Sequence, residues 1–411
     1  MSAGAVAGVP QGAQPNPFGA AAVPASTTPN APAVTAEPAS SPLAEPIATI
    51  DDAIARLQGP SADAARDAAE WLAKQRLDPA RQAEVSRALN GLDRDGLRLA
   101  GLTVLPIWGT KENVDLLGKV LVEQKFDRQP CLVLAQKLND DRLLEPLVAV
   151  LTDTFDDGKL AEEILAKWGQ SADDVLVRHM NHPHDEAHNR IVRILDLRKI
   201  APEKLARQAV AELRSENADQ RRYAAAWLEE TKCEAVPTEL HPDATDAALS
   251  LLADRSPSVR GSAVDIVRYC ADKSHDAQFV KMLSSQRAEE WHAGLHGVIR
   301  TGNTAGAKEL FAARMKDEAQ AGMVCRIMNG AGQPAEDLAI ALLKQPLEDR
   351  GQAHIAILLS ISQIGGKKSL AALTQFERQN GRGKKKGGMS SSVASAVDVA
   401  RANITKRTKS R

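Results

Sequence analysis

Aromatic side chains are scarce: two tyrosines, six phenylalanines and five tryptophans in 411 residues. No segment shows the β-branched alternation of a half-buried strand. Both shortages argue against sheets and favour an all-α chain. Cysteine is scarce too. Cys131, Cys233, Cys270 and Cys325 stand far apart in sequence, and none belongs to a CxxC pair. That excludes a disulfide framework and points to small buried thiols in a reducing, cytoplasmic compartment. No run of about 18 apolar residues occurs, so no transmembrane helix is expected. Basic residues are absent before the Ala-rich start, and Pro10, Gln11 and Pro15 interrupt it, which makes a poor signal peptide.

What is present is unevenly charged. The net charge of −1 hides three different parts. Residues 1–50 hold no Lys or Arg and two acids, Glu37 and Glu45. Residues 51–366 hold 40 basic and 49 acidic residues, a net −9. Residues 367–411 hold twelve Lys or Arg against Glu377 and Asp398, a net +10. An acidic body thus carries a basic tail. Abundant Ala, Arg and Asp with little Lys in the body suggests a GC-rich, bacterial genome.

Residues 1–46 are Ala, Pro, Ser, Thr, Gly and Val with almost no charge. They cannot bury enough apolar area to offset ordering entropy, and they read as a disordered spacer. Helices begin at Ile47. Pro60, Ser61 and Asp63 form a helix start, and Pro79 opens the next helix with Ala83, Val85 and Leu89.

A period then becomes measurable. Turns fall at Gly109, Asn139, Gly169, Lys199, Lys232, Asp272, Gly302, Gly332 and Gly366. The spacings are 30, 30, 30, 33, 40, 30, 30 and 34. Residues Cys233 to Pro242 account for the long one and read as a loop. Two antiparallel helices of about 12–14 residues with two short turns fit such a period. Gly or Asn suits the turn, because a helix commonly ends in a left-handed residue. First helices carry Leu132, Ala135 and Leu138, or Ala263, Ile266 and Val267. Second helices carry Val114, Leu117 and Leu121, or Leu144, Leu147 and Leu151. These follow the i, i+3, i+4, i+7 rule, and one pair cannot bury both faces alone.

The stretch SPSVRGSAVDIV after LLAD resembles a HEAT repeat of the phycobilisome-lyase-like class. The matching residues are Asp254 in the turn, Val259, Arg260 and Ala263. Arg98, Arg128 and Arg222 occupy similar places in their repeats. The resemblance covers residues 55–380 and, with the period, implies a right-handed α-solenoid of about ten two-helix HEAT-type repeats over 47–380. It further implies a concave face lined by second helices that binds partners, and arginines that bridge repeats.

Catalytic chemistry finds little support. His179, His182, His184 and His188 cluster, and His184 and His188 have the i, i+4 spacing of metal ligands. Asp185 stands where a zinc protease needs Glu, so the motif fails and solvated histidines are the expectation. His292 and His296 repeat the spacing without a carboxylate pattern. HEAT-array hydroxylases use His-Glu dipeptides, and this chain has none. Trp108 and Trp168 precede their turns equivalently, which suggests packing rather than base reading. No cofactor or metal is expected.

Residues 381–411 read as a basic linker followed by a possible capping helix, with Val393, Val397, Ala400 and Ile404 on one face. Lys384, Lys385 and Lys386 are the candidate contacts for an acidic partner, whether nucleic acid, anionic lipid or protein. The leading expectation is a non-enzymatic protein-binding scaffold. A nucleic-acid-associated protein and a lyase-like accessory subunit are the alternatives.

Overall fold

The computed structural model describes residues 46–93, 98–123, 128–346, 351–381 and 389–409, with no side-chain description for 92–102. The spacer 1–46, apart from Pro46, and the Lys384–Lys386 run lie outside the described residues.

One repeat shows how sequence becomes helix. Asp254 Oδ1 accepts from the Ser256 amide at 2.8 Å and turns the chain. Pro257 follows at the first helical turn, where its missing N–H costs nothing. The helix Pro257–Cys270 buries Val259, Ala263, Ile266, Val267 and Cys270 along one face. Asp272 then accepts from the Ser274 amide at 2.8 Å and starts a single 3₁₀ turn, Lys273–His275. The second helix, Asp276–Met282, follows directly. Thr110 and Asp140 start equivalent 3₁₀ turns in two earlier repeats.

That turn corrects the expected helix length. Leu144–Val150 and Asp276–Met282 have only seven residues, because the tighter turn takes up the start of each second helix. First helices such as Pro257–Cys270 and Ala288–Thr301 reach 14 residues.

The described residues form 22 α-helices and no β-strand. From Ala62 to Asn380 they make ten pairs of a first and a second helix, the number expected from sequence, with Ile50–Gln58 before them and Ser391–Lys409 after. First helices stack on first helices, as Ala218–Glu230 does on Pro257–Cys270 and that helix on Ala288–Thr301. Second helices stack on second helices, as Val114–Val122 does on Leu144–Val150. The result is a two-layered α-solenoid. One apolar core runs between the layers from Ala53 to Ile404. Each fully buried Leu or Ile adds about 1.5–3 kcal/mol.

The turn glycines divide by physical cause. Gly302 and Gly332 have φ of 71° and 67°, and Asn139 has 46°, as left-handed exits require. Gly109 has no positive φ. There a Cβ would lie 2.5 Å from the Leu105 carbonyl oxygen and 2.8 Å from Leu134 Cδ2, so close approach demands glycine. Lys199 occupies a left-handed exit with a full side chain, at φ 55°. The expected loop Cys233–Pro242 is shorter than read: the helix His241–Leu251 already contains Pro242 in its first turn. Pro79 does not open a helix either, since Gln82–Leu89 begins three residues later.

The last helix, Ser391–Lys409, buries Val393, Val397, Ala400 and Ile404 against Gln352–Ile364 and Lys367–Asn380. Asn403 donates to Ser362 Oγ at 2.9 Å. Arg407 donates to the Ser362 and Gln363 carbonyls at 3.1 and 2.7 Å and also reaches Gly365, covering the end of Gln352–Ile364.

Candidate interaction surface

A guanidinium buried between repeats must be paired, because an unpaired buried charge is costly. Arg128, 5% exposed at its side chain, meets Asp153 at 2.5 Å and Asp157 at 3.3 Å in the following repeat. It also donates to the Leu121 carbonyl at 3.2 Å in the preceding second helix. Arg260 donates to Glu289 at 2.8 Å on the next first helix and to the Asp254 carbonyl at 3.1 Å. Both arginines bridge repeats, as the resemblance implied.

In Ala218–Glu230 the register differs by one residue. Arg221, the fourth residue of its helix, is the counterpart of Arg260 and pairs with the nearly buried Asp254 at 2.9 Å. Arg222 turns outward to Asp185 and Asp219 at 3.4 and 3.3 Å. Two adjacent arginines hide this choice in the sequence. Arg98 has no side-chain description.

Two joints escaped the sequence reading. Arg190 is buried beside Glu186 at 2.9 Å and Glu162 at 3.5 Å. Gly158 leaves it room, since a Cβ there would lie 3.1 Å from Arg190 Cζ. Arg314 sits in a π-helical turn, Phe311–Met315, donates to the Leu283 carbonyl at 3.2 Å and lies 5.0 Å from the Trp291 ring centroid. A lone arginine at an apolar-period position was the available signal for each.

The tryptophans pack as expected. Trp108 is fully buried and donates through Nε1 to the Leu72 carbonyl at 3.0 Å. Trp168 donates to Asp141 at 3.1 Å.

Contrary to the expectation from sequence, the histidines are not simply solvated: His182 Nδ1 accepts from the His184 amide at 3.1 Å, while His179 and His188 have other partners. His184 precedes the helix Asp185–Arg198 as its N-cap residue. His188 Nδ1 contacts the Met180 carbonyl at 2.7 Å, and its ring stacks on Tyr223 at 3.7 Å. Burial pushes the His188 imidazole below its ordinary pKa. His179 pairs with Glu145 at 2.7 Å. No three His, Cys, Asp or Glu side chains are grouped to hold a metal among the described residues.

The second-helix layer carries a different charge pattern. Arg142–Asp115, Arg178–Glu145, Lys204–Asp174 and Arg207–Glu239 pair across neighbouring repeats at 2.5–3.2 Å. All eight side chains are more than 40% exposed, so water and salt screen each pair and it contributes little. Burial pushes the Glu145 carboxyl up, but Arg178 and His179 outweigh it and hold it below the ordinary range.

Two hollows interrupt these layers. One, of about 420 Å³, lies between the ends of His241–Leu251 and Asp276–Met282. Leu249, Leu252 and Met282 form its apolar wall, with Gln278 and Lys281 at the rim. The other, of about 600 Å³, lies on the first-helix layer between Asp156–Lys167 and Asp185–Arg198. Phe155 and Leu197, 80% and 71% exposed, stand beside Lys159, Glu162, Glu163 and Arg193 there. The sequence reading had not singled out this second hollow; an apolar Phe155 directly before the helix start was its one trace.

The tail is less available than its charge suggests. Arg401 pairs with Glu377 and Arg407 covers helix-end carbonyls. Lys384, Lys385 and Lys386 remain outside the described residues. No described helix is long and apolar enough to cross a membrane.

No family model matches the chain. No curated protein matches it either. Solved structures do. An engineered protein is 15% identical, covering 87% of this chain and 98% of its own, with a TM-score of 0.32. A HEAT-like repeats protein of the archaeon Thermococcus onnurineus NA1 is 14% identical over 71% of this chain and 97% of its own, with a TM-score of 0.27. The karyopherin Kap121p, bound to the extreme C-terminus of the protein phosphatase Cdc14p, is 11% identical over 87% of this chain and 42% of its own, with a TM-score of 0.28. The solenoid stands on the helix pairing itself.

Proposed function

We propose that this chain is a non-enzymatic HEAT-type scaffold that binds a protein partner on its second-helix layer. The observation that carries the reading is the 420 Å³ hollow beside Leu249 and Met282, which opens in a layer whose exposed charges pair with one another. A partner gains little from a charge-paired surface, whereas an apolar recess accepts an anchoring side chain. The packing of Val259 and Ala263 with Arg260 bridging forward supports the phycobilisome-lyase-like subclass. Four buried thiols support a reducing, cytoplasmic setting.

The test is site-specific photo-cross-linking in living cells, from Gln278 beside this hollow and from Lys159 beside the other. A recurrent adduct of one mass from position 278, and none from 159, is expected. Adducts from 159 alone move the site to the first-helix layer. Adducts from neither end the scaffold reading.

A further inference from the structure

Cys233 and Cys270 are distant in sequence, yet Cys233 follows the helix Ala218–Glu230 and Cys270 ends the helix Pro257–Cys270 stacked on it, which brings the two thiols within reach of each other. Both are buried, at 4% and 0% exposure. Cys270 ends the helix Pro257–Cys270, and Thr245 Oγ1 donates to its carbonyl at 3.0 Å. Cys233 lies in the turn after Ala218–Glu230. Its amide donates to the Leu228 carbonyl at 3.0 Å, and its own carbonyl accepts from Val236 at 3.0 Å.

The backbone of that turn is unusual. Lys232 and Cys233 both have positive φ, 50° and 53°. A left-handed conformation is disfavoured for any residue with a Cβ, and glycine or asparagine is the ordinary occupant. The other non-glycine residues of this kind among those described, Asn139, Lys199 and Lys232, are exposed. Cys233 alone combines a left-handed backbone with burial. The turn seats a thiol against a thiol where glycine would be less strained.

We propose that Cys233 and Cys270 are a redox pair, which a low-molecular-weight disulfide converts to an internal disulfide across the middle of the array. The Cys233 thiol loses its proton to solvent, and the thiolate attacks one sulfur of the small disulfide. A mixed disulfide forms, and one small thiolate leaves and takes up a proton. The Cys270 sulfur, deprotonated in turn, attacks the Cys233 sulfur and expels the second small thiolate, which is also protonated. Two protein thiols are oxidised and one small disulfide is reduced to two thiols. Cys270 is fully buried at a helix end, whereas Cys233 sits in the turn and keeps some exposure, so the first attack belongs to Cys233. The bond ties the end of one first helix to the end of the next, across the intervening helix His241–Leu251. It removes the freedom of the turn that joins them.

The experiment equilibrates the native full chain with oxidised glutathione, blocks remaining thiols, unfolds it and maps cysteine peptides by mass spectrometry. One cross-link between Cys233 and Cys270, with Cys131 and Cys325 still alkylated, is expected. The melting temperature rises by a few degrees and returns on reduction with dithiothreitol. In Cys270→Ser, Cys233 stops as a stable glutathione adduct. The proposal is overturned by four alkylated cysteines, by a stable adduct on the wild-type chain, or by a cross-link that appears only in denaturant. These readouts use the wild-type chain first, so they stand even if a variant fails to fold.

Discussion

The two layers hold neighbouring repeats together by different physics. The first-helix layer buries its charges: Arg128 and Arg190 are about 5% exposed. The second-helix layer exposes them, as Lys204 and Asp174 at 41% and 73% show. A buried guanidinium binds its carboxylates with little screening, and losing one partner strands the other. An exposed pair competes with water and salt. The same ion-pair chemistry therefore makes a rigid joint in one layer and a soluble surface in the other.

The largest effect tests this directly. Arg128→Ala leaves Asp153 and Asp157, both about four-fifths buried, without their cation, and removes the donor to Leu121. A loss of about 3–5 kcal/mol is expected. Lys204→Ala removes only the exposed pair with Asp174, and a far smaller loss is expected. Urea unfolding of the two variants, at low and at high salt, measures both. Equal losses would erase the distinction between the layers.

Protonation offers a second comparison. Burial, with Arg268 and His292 adding to it, holds the His296 imidazole down to about 4. The neutral ring is favoured in the fold and the charged ring in the unfolded chain. This contribution is constant above about pH 6.5 and declines as pH falls from there to about 4. Between pH 7 and 5 it amounts to about 2 kcal/mol. His296→Gln should therefore lose less stability than wild type over that interval, by about that amount. A parallel loss in both chains would show that His296 is not the group responsible.

How much of this was legible in the sequence depends on whether a signal is local. The apolar stripes of Pro257–Cys270 and the proline start are local, and the structure keeps them residue for residue. The 3₁₀ turns are local as well, but Asn139 and Asp272 read simply as turn residues, so the 3₁₀ starts at Asp140 and Asp272 and the short second helices were missed. The arginine joints depend on the next repeat. Sequence could place an arginine there, yet it could not choose Arg221 over Arg222, because the deciding carboxylate, Asp254, lies a repeat away. The contact between Cys233 and Cys270 is of the same kind. Glu336 is the strongest case. It stands on the second-helix layer yet is buried, and it accepts from the Gly366 amide at 2.6 Å and Ser369 Oγ at 2.7 Å. Nothing local to Glu336 marks it as the cap of the helix Lys367–Asn380.

Glu336 also makes an exception to the layer rule. Burial pushes its carboxyl up, but hydrogen bonds from Gly366, Ser369 and Gln333 prevail and hold it below the ordinary range. Its contribution is therefore present at neutral pH and is lost on acidification below the ordinary carboxylate range. Glu336→Ala strands two amides and a hydroxyl, and a loss of about 2 kcal/mol is expected. Hydrogen exchange at Gly366 and Ser369 reports it locally. Unchanged protection there would mean that solvent replaces the carboxylate without cost.

Two helical glycines give the sharpest contrast in sign. Gly297 faces the other layer: a Cβ there would lie 2.4 Å from Phe279 Cγ, and Phe279 is fully buried. The ring cannot move aside, and Gly297→Ala is expected to cost about 1–3 kcal/mol. Gly261 faces outward from the neighbouring first helix, with nothing within 4 Å of the position a Cβ would take. There alanine meets no obstacle, and it lowers the entropy of the unfolded chain. Gly261→Ala is expected to stabilise by about 0.5–1 kcal/mol. Opposite signs for one substitution in two adjacent helices would follow from packing alone, since helix propensity favours alanine in both. If Gly261→Ala destabilises as well, the outer face of the first-helix layer is packed against something the isolated chain does not show.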